Sequence, residues 1–352
     1  MCRWKFKYIL ALFFAVIVLV GMGCSESQPP TTEQSNSNQD DDNNPNPPPE
    51  TTYINDGFIV VGNFLGDVLQ THYYDIHRDL LFRFGFRVSR DGVFSADRDS
   101  VYFNYGGVGE GIWAAYLDTS DCIEPVLIYD SPNEELNLCS TPLGIVFNSE
   151  SSEGTFMLWT GATEVGPVAS LGAGMVRAVR ICPKDSTKIA AEFWGFERRV
   201  FVFAISDTAP WDTIRSFEGD LFAWFDIDSE RIVAGNSEHL FIHHLYGERD
   251  STEIPLPEAN LVGVATDGLR VIGIFNAGGS TDIYVLEANY YIERKIASIE
   301  GNPITADISP FDHIMAVATS REGYDYVTLV DLDSGEANDV LVGNAITYVR
   351  WK

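Results

Sequence analysis

Residues 304–342, ITADISPFDHIMAVATSREGYDYVTLVDLDSGEANDVLV, predict four short β-strands joined by three tight turns. The strand segments are rich in Val, Ile, Thr and Tyr, whereas Ser, Pro, Asp and Gly gather between them and supply the backbone angles of turns. The predicted turns lie at 309–312, 320–323 and 333–336. One such four-stranded antiparallel sheet cannot bury its own faces, so this segment needs neighbours of the same kind.

Similar segments recur along the chain. An apolar strand runs into a turn that starts at residues 89, 148, 182, 226, 266, 309 and 350, so the turn starts are 59, 34, 44, 40, 43 and 41 residues apart. The last four intervals match the roughly 40–45 residues of a four-stranded propeller blade. The first two do not. An insertion around 130–139 would explain the long interval, and 95–99 is a rival turn in the first blade.

The predicted fold is therefore all-β: a β-propeller of about seven four-stranded blades. Six or eight blades are alternatives, and a pair of β-sandwiches is the rival fold. Residues 346–352 have the pattern of the first strand of a blade that the C-terminus does not complete, and 58–61, 72–76 and 80–83 supply three further strands. The N- and C-terminal strands would then close the ring, which removes exposed sheet edges.

The turn motifs carry a resemblance to a known family. Ser309-Pro310-Phe311-Asp312 lies between the first two strands of its blade, and Asp331-Leu332-Asp333-Ser334-Gly335-Glu336 lies between the last two. Over residues 176–352 these motifs resemble those of TolB-type and WD-repeat-like β-propellers of bacterial envelopes. The resemblance implies the fold and a ring closed by the two chain ends. It does not imply a particular function.

Residues 1–24 have the pattern of a secretory signal peptide. Arg3, Lys5 and Lys7 precede an apolar run at 8–20, which is shorter than the ~20 residues of a transmembrane helix. The small residues before Cys24 resemble the lipobox of bacterial lipoproteins, which implies lipidation of Cys24. An ordinary cleaved signal and an uncleaved anchor are the alternatives. Ser25 follows the cysteine where an inner-membrane lipoprotein commonly has Asp, so the resemblance favours the outer membrane.

Residues 25–52 contain almost no apolar side chains and predict a disordered linker between the lipid anchor and a propeller domain at 53–352. Asp+Glu number 51 against 23 Lys+Arg, a formal net charge of −28. So acidic a surface repels phosphate backbones, which argues against nucleic-acid binding. The membrane is expected to be reached through the lipid anchor only, and the chain is expected to be a monomer.

Two cysteines of the predicted domain suggest a disulfide. Cys122 and Cys139 flank the proposed insertion, and a bond between them would stabilise that loop by about 3 kcal/mol through loop-closure entropy. The sequence leaves open whether the bond forms. Cys182 stands at a blade turn and is expected to be a small buried residue.

No motif predicts a catalytic, cofactor or metal site. His239 and His243 lie four residues apart, roughly 13 Å along a strand, which is too far for one metal ion. The segment 331–336 lacks the Gly at position 6 of a calcium loop and the Glu at position 12, and is interpreted as a hairpin turn. The Gly-rich segment 106–111 has no helix pattern after it, which argues against a phosphate loop.

Two functions remain after these exclusions. The first is a lipid-anchored scaffold of the cell envelope that binds a protein or glycan partner without catalysis. The second is a carbohydrate-active propeller enzyme, a polysaccharide lyase or glycoside hydrolase, with acids and histidines converging at one end of the channel. Titratable groups from different blades that meet in one pocket would favour the enzyme.

Overall fold

The computed structural model describes residues 57–64, 69–84, 91–104, 111–117, 125–130, 135–149, 155–161, 164–225, 229–247, 251–257, 260–267, 270–286, 294–309 and 312–351. All of them lie in one compact unit, Thr52–Lys352. The predicted signal peptide with Cys24, the predicted linker and Cys122 lie outside the described residues. Within these ranges no helix has the length and apolar character that a membrane span requires.

The described residues form 27 strands. In chain order they are β1 Gly57–Asn63, β2 Gln70–Asp75, β3 Leu80–Arg83, β4 Gly92–Phe94, β5 Ser100–Asn104, β6 Ile112–Tyr116, β7 Val126–Tyr129, β8 Glu135–Thr141, β9 Gly144–Ser149, β10 Thr155–Trp159, β11 Glu164–Ser170, β12 Met175–Cys182, β13 Asp185–Trp194, β14 Arg198–Ala204, β15 Asp212–Glu218, β16 Leu221–Trp224, β17 Arg231–Gly235, β18 Leu240–His244, β19 Thr252–Ile254, β20 Leu261–Thr266, β21 Val271–Asn276, β22 Ser280–Leu286, β23 Arg294–Glu300, β24 Asn302–Ile308, β25 Ile314–Arg321, β26 Tyr324–Asp331 and β27 Ala337–Trp351.

The strands form seven antiparallel blades. Blades 1 to 5 are the four-stranded sheets β4–β7, β8–β11, β12–β15, β16–β19 and β20–β23. The remaining strands form one seven-stranded sheet in the order β24-β25-β26-β27-β1-β2-β3. This sheet comprises blade 6, which is β24–β26 with the first part of β27, and blade 7, which is the rest of β27 with β1–β3. The predicted propeller of seven blades is confirmed.

Strand β27 closes the ring because it belongs to two blades in succession. Its residues up to Gly343 pair with β26, and those from Asn344 pair with β1, where Phe58 lies opposite Trp351. Between the two pairings Ala345 has a φ of 52°, a left-handed conformation that redirects the strand. The predicted completion of the last blade by N-terminal strands is therefore correct.

Seven clusters of buried side chains fill the seven gaps between neighbouring blades. The cluster with Ile59, Tyr73 and Phe103 joins blade 7 to blade 1, and the cluster with Val317, Val330 and Ile272 joins blade 5 to blade 6. The other five clusters join the remaining pairs. Each blade thus buries both faces against neighbours of its own kind, which is the requirement that the repeat imposed.

The predicted boundaries of blades 1 and 2 are wrong. The second half of the insertion predicted around 130–139 belongs to β8, the innermost strand of blade 2, and Gly144–Ser149 is the second strand, not the first. In blade 1 the turn between the first two strands lies at 95–99, the rival turn that the sequence offered. The innermost strands end at 94, 141, 182, 224, 266, 308 and 351, intervals of 47, 41, 42, 42, 42 and 43 residues, so no insertion is needed.

Candidate functional site: the central channel

The innermost strands β4, β8, β12, β16, β20, β24 and the end of β27 surround a central channel. Where these strands begin, the channel widens into a cavity of about 550 Å³, called here the upper chamber. Where they end lies a second cavity of about 610 Å³, called the lower chamber. Val179, Arg180 and Arg350 line both cavities and so lie between them.

Carboxylates at the channel wall connect neighbouring blades. The two oxygens of Asp91 in blade 1 accept hydrogen bonds from the backbone N–H of Gly92 (2.8 Å) and of Leu138 in blade 2 (2.7 Å). Asp307 in blade 6 accepts one from the backbone N–H of Trp351 in blade 7 (2.9 Å). Burial raises the pKa of Asp91 to about 6 and also raises the pKa of Asp307.

Arg350 spans the channel from blade 7. Its guanidinium donates to the carbonyl oxygen of Leu138 in blade 2 (3.4 Å) and to that of Val179 in blade 3 (3.2 Å). The neighbouring Tyr348 hydroxyl lies close enough to Asp91 to lower the pKa of that carboxyl, yet it is buried without a hydrogen bond of good geometry to the described residues. The channel therefore narrows at a layer of polar side chains from several blades.

A second polar cluster forms part of the wall of the upper chamber. The Trp194 indole N–H donates to the Glu192 carboxylate, and the guanidinium groups of Arg177 and Arg198 lie 4.5 Å and 4.3 Å from the centre of the Trp194 ring. Arg198 also pairs with Asp220, which precedes the innermost strand of blade 4. Burial raises the pKa of Glu192 to about 7.

Glu192 should make stability depend on pH. Its pKa of about 7 exceeds the ordinary 4.5, so the folded chain holds more protons than the unfolded chain between these values and becomes less stable as pH rises through them. We expect Glu192 to lower the free energy of unfolding by on the order of 2 kcal/mol as pH rises across this window. The variant Glu192→Gln should lack this pH-dependent decrease. Urea unfolding at about pH 5 and about pH 8 measures the difference in unfolding free energy. Glu197→Gln, in the adjacent exposed turn, is the control. Identical pH dependence of the wild type and Glu192→Gln would contradict the assignment.

The histidines and the turn that the sequence brought forward do not line the channel chambers, whereas Cys139 and Cys182 line the lower one. All six histidines are within the described residues, and none of them lines either chamber. Among the residues that the structure describes, no cluster of His, Cys, Asp or Glu could hold a metal ion. The turn 331–336 is a hairpin turn, as predicted: the Asp331 carboxylate accepts the backbone N–H of Asp333 (2.9 Å) and of Ser334 (2.7 Å).

The two cysteines of β8 and β12 are buried. Cys182 is 1% exposed, in agreement with its prediction as a small buried residue. Cys139 is 2% exposed, and because Cys122 lies outside the described residues, the disulfide between them remains a prediction.

The channel residues Arg180, Asp307, Tyr348 and Arg350 were missed by sequence reasoning. The signal that could have found them is a charged side chain inside an otherwise apolar innermost strand, as in MVRAVRIC for β12 and NPITADI for β24. A buried charge in such a strand needs partners, and in a propeller only the channel offers them.

Comparison with known proteins shows the fold alone. No protein-family model matches the sequence, and no curated protein does either. A crystal structure of a protein from Lactobacillus plantarum has a TM-score of 0.60 at 15% identity, covering 84% of this chain and 99% of its own. A protein from Bacteroides fragilis, described as a candidate 6-phosphogluconolactonase, has a TM-score of 0.61 at 15% identity, with 86% and 99% covered. TolB from Acinetobacter baumannii has a TM-score of 0.51 at 10% identity, with 85% and 67% covered. The predicted likeness to TolB-type propellers is confirmed at the level of the fold.

Proposed function

We propose that this protein is a lipid-anchored β-propeller of the bacterial cell envelope that acts as a monomeric, non-catalytic scaffold for a protein or glycan partner. The predicted signal peptide, the lipobox-like segment ending at Cys24 and the linker at 25–52 support attachment to a membrane, with the outer membrane favoured. The propeller supports the scaffold role because its ring holds loops and strand ends rigidly around one opening.

The observation that carries the proposal is an apolar rim around the upper chamber. Met175, Phe196, Val262 and Ile304 belong to strand ends or turns on this side of blades 3, 5 and 6, and their exposed fractions are 56%, 105%, 44% and 38%. Val262 and Ile304 also line the chamber itself. Large apolar side chains grouped on one face of a soluble domain mark an interaction surface.

The composition of the rim favours a protein partner over a glycan. A sugar ring stacks on a free aromatic face, but two guanidinium groups already lie against the Trp194 ring of the upper chamber. Exposed Met and Phe beside charged residues are instead typical of surfaces that bind proteins.

Replacement of apolar side chains of the rim by serine should weaken binding of the partner. We expect the double variant Met175→Ser, Phe196→Ser to bind the envelope partner at least about tenfold more weakly, because buried apolar anchors dominate such interfaces. Crosslinking in envelope preparations and pull-down first identify the partner. The affinity of the recovered protein for the wild type and for the double variant then tests the prediction. Tyr116→Ser, which removes a 64%-exposed aromatic of β6 in blade 1, is the control. Recovery of the same proteins by the rim variant would refute the binding surface.

The carbohydrate-active enzyme is the second candidate. Asp91 and Glu192 come from blades 1 and 3, line the same chamber, and have pKa values raised to about 6 and about 7, as a general acid near neutral pH requires. Against it, both oxygens of Asp91 are occupied by backbone N–H groups, and no histidine joins them. Cleavage of a polysaccharide by the purified protein, abolished by Glu192→Gln, would replace the scaffold proposal with this one.

A further inference from the structure

The lower chamber differs chemically from the upper one. Its volume of about 610 Å³ is within the usual range of small-molecule sites. Its wall includes apolar side chains from the innermost strands of five blades. These are Phe94, Ile181, Trp224, Val264 and Ile308. A cavity with an apolar wall and few polar groups suits a ligand with an apolar body.

At the inner end of the chamber lie two guanidinium groups that form no ion pair with a described carboxylate, although Asp91 and Asp307 lie close enough to Arg180 to interact with it electrostatically. Among the described residues, neither Arg180 nor Arg350 has a carboxylate oxygen within ion-pair distance. Within the part of the chain that the structure describes, Arg180 makes one long hydrogen bond, to the carbonyl oxygen of Val179 (3.5 Å), and Arg350 donates to carbonyl oxygens alone. In a chain with 51 acidic and 23 basic side chains, paired arginines would be the ordinary outcome. Arg180 instead has donors without a hydrogen-bond partner among the described residues, at the boundary between the two chambers.

The described lining of the chamber includes more guanidinium groups than carboxylates. Arg98, Arg180 and Arg350 line it, and Asp307 is the one carboxylate among its described lining residues. The carboxylate of Asp307 is already engaged by the backbone N–H of Trp351. Guanidinium groups bind carboxylates through paired, charge-assisted hydrogen bonds, and such bonds are strong where water is partly excluded.

We propose that the lower chamber binds a small organic anion in which a carboxylate is carried on an apolar body. The carboxylate lies against Arg180 and Arg350, and the apolar body lies along the wall formed by Phe94, Trp224 and Ile308. This site is separate from the apolar rim on which the proposed scaffold function depends, so either proposal can fail without the other.

Calorimetric titration of the full chain with matched probes tests the site. Phenylacetate and hexanoate carry the carboxylate on an aromatic and on an aliphatic body; phenylacetamide lacks the charge, and acetate lacks the body. We expect at least one of the two acids to bind with a dissociation constant of about 1 mM or tighter, and the amide and acetate to bind at least about tenfold more weakly. The acid that binds more tightly identifies the class of apolar body.

The variant Arg180→Met should weaken binding of the acid at least about tenfold. Its melting temperature should fall, because the buried Asp91 and Asp307 lose the nearby positive charge of Arg180, so binding is measured well below that temperature. Arg294→Met removes an exposed arginine of β23 outside the channel and should leave binding unchanged. Equal binding of acid and amide, binding unaffected by Arg180→Met, or no binding of either acid at about 10 mM would overturn the proposal. If Arg180→Met does not fold, the comparison of acid, amide and acetate on the wild type decides.

Discussion

Deletion of residues 346–352 is expected to abolish cooperative folding of the propeller. Residues 346–351 form the end of β27, the innermost strand of blade 7, and they include Ile346, Val349 and Trp351, which are 2%, 0% and 7% exposed. Burial of each such side chain contributes about 1.5–3 kcal/mol. Their joint loss, together with the hydrogen bonds to β1, is comparable to the net stability of a whole domain, about 5–15 kcal/mol. Strand β1 would also become an exposed sheet edge that favours aggregation.

Urea unfolding followed by far-UV circular dichroism measures this effect. Thr347→Ala, at an exposed position of the same strand, is the control and should change stability by less than about 0.5 kcal/mol. A truncated chain that unfolds at the same urea concentration as the full chain, with the same dependence on urea, would refute closure of the ring by β27.

The second large effect is expected at Asp91. Its two oxygens accept two different backbone N–H groups, one of them in the neighbouring blade. Asp91→Ala leaves both donors without a partner, at a cost of about 1–3 kcal/mol each. Asp91→Asn keeps one acceptor oxygen and turns an NH₂ group toward the other donor, so it should also destabilise, but by less than Asp91→Ala.

The expected order of stability is wild type, then Asp91→Asn, then Asp91→Ala. Thermal and urea unfolding test this order, and Asp99→Asn is the control. Asp99 lies exposed in the turn after β4, and its conversion to the amide should be nearly neutral. If Asp91→Ala were as stable as the wild type, the carboxylate would not connect blades 1 and 2, and its burial would require another explanation, such as ligand binding.

The part of the fold that the sequence predicted correctly rests on local signals. In 304–342 the strand formers and turn residues alternate without ambiguity, and the structure has β24, β25, β26 and β27 there. The same holds from blade 3 onward. In blade 2 the local signals compete: β8 contains Asn137 at a φ of 56° and a shift in its pairing with β9, so its alternation is broken. The cleaner apolar pattern of β9 therefore wrongly predicts the first strand of the blade.

By itself, the sequence determined the all-β class, the repeat and the absence of a familiar catalytic motif, because each of these follows from residues close together in the chain. The closure of the ring then followed from the repeat, since a last blade left incomplete at the C-terminus needs the N-terminal strands. Only the tertiary structure decided the site. Arg350 meets Leu138 and Val179, which are 212 and 171 residues away, and the apolar rim joins blades 3, 5 and 6. The alternation of side chains does not distinguish a strand residue that faces the channel from one that faces a neighbouring blade, since both alternate with the same period. Which side chains converge there depends on the blade count and on the register of every innermost strand.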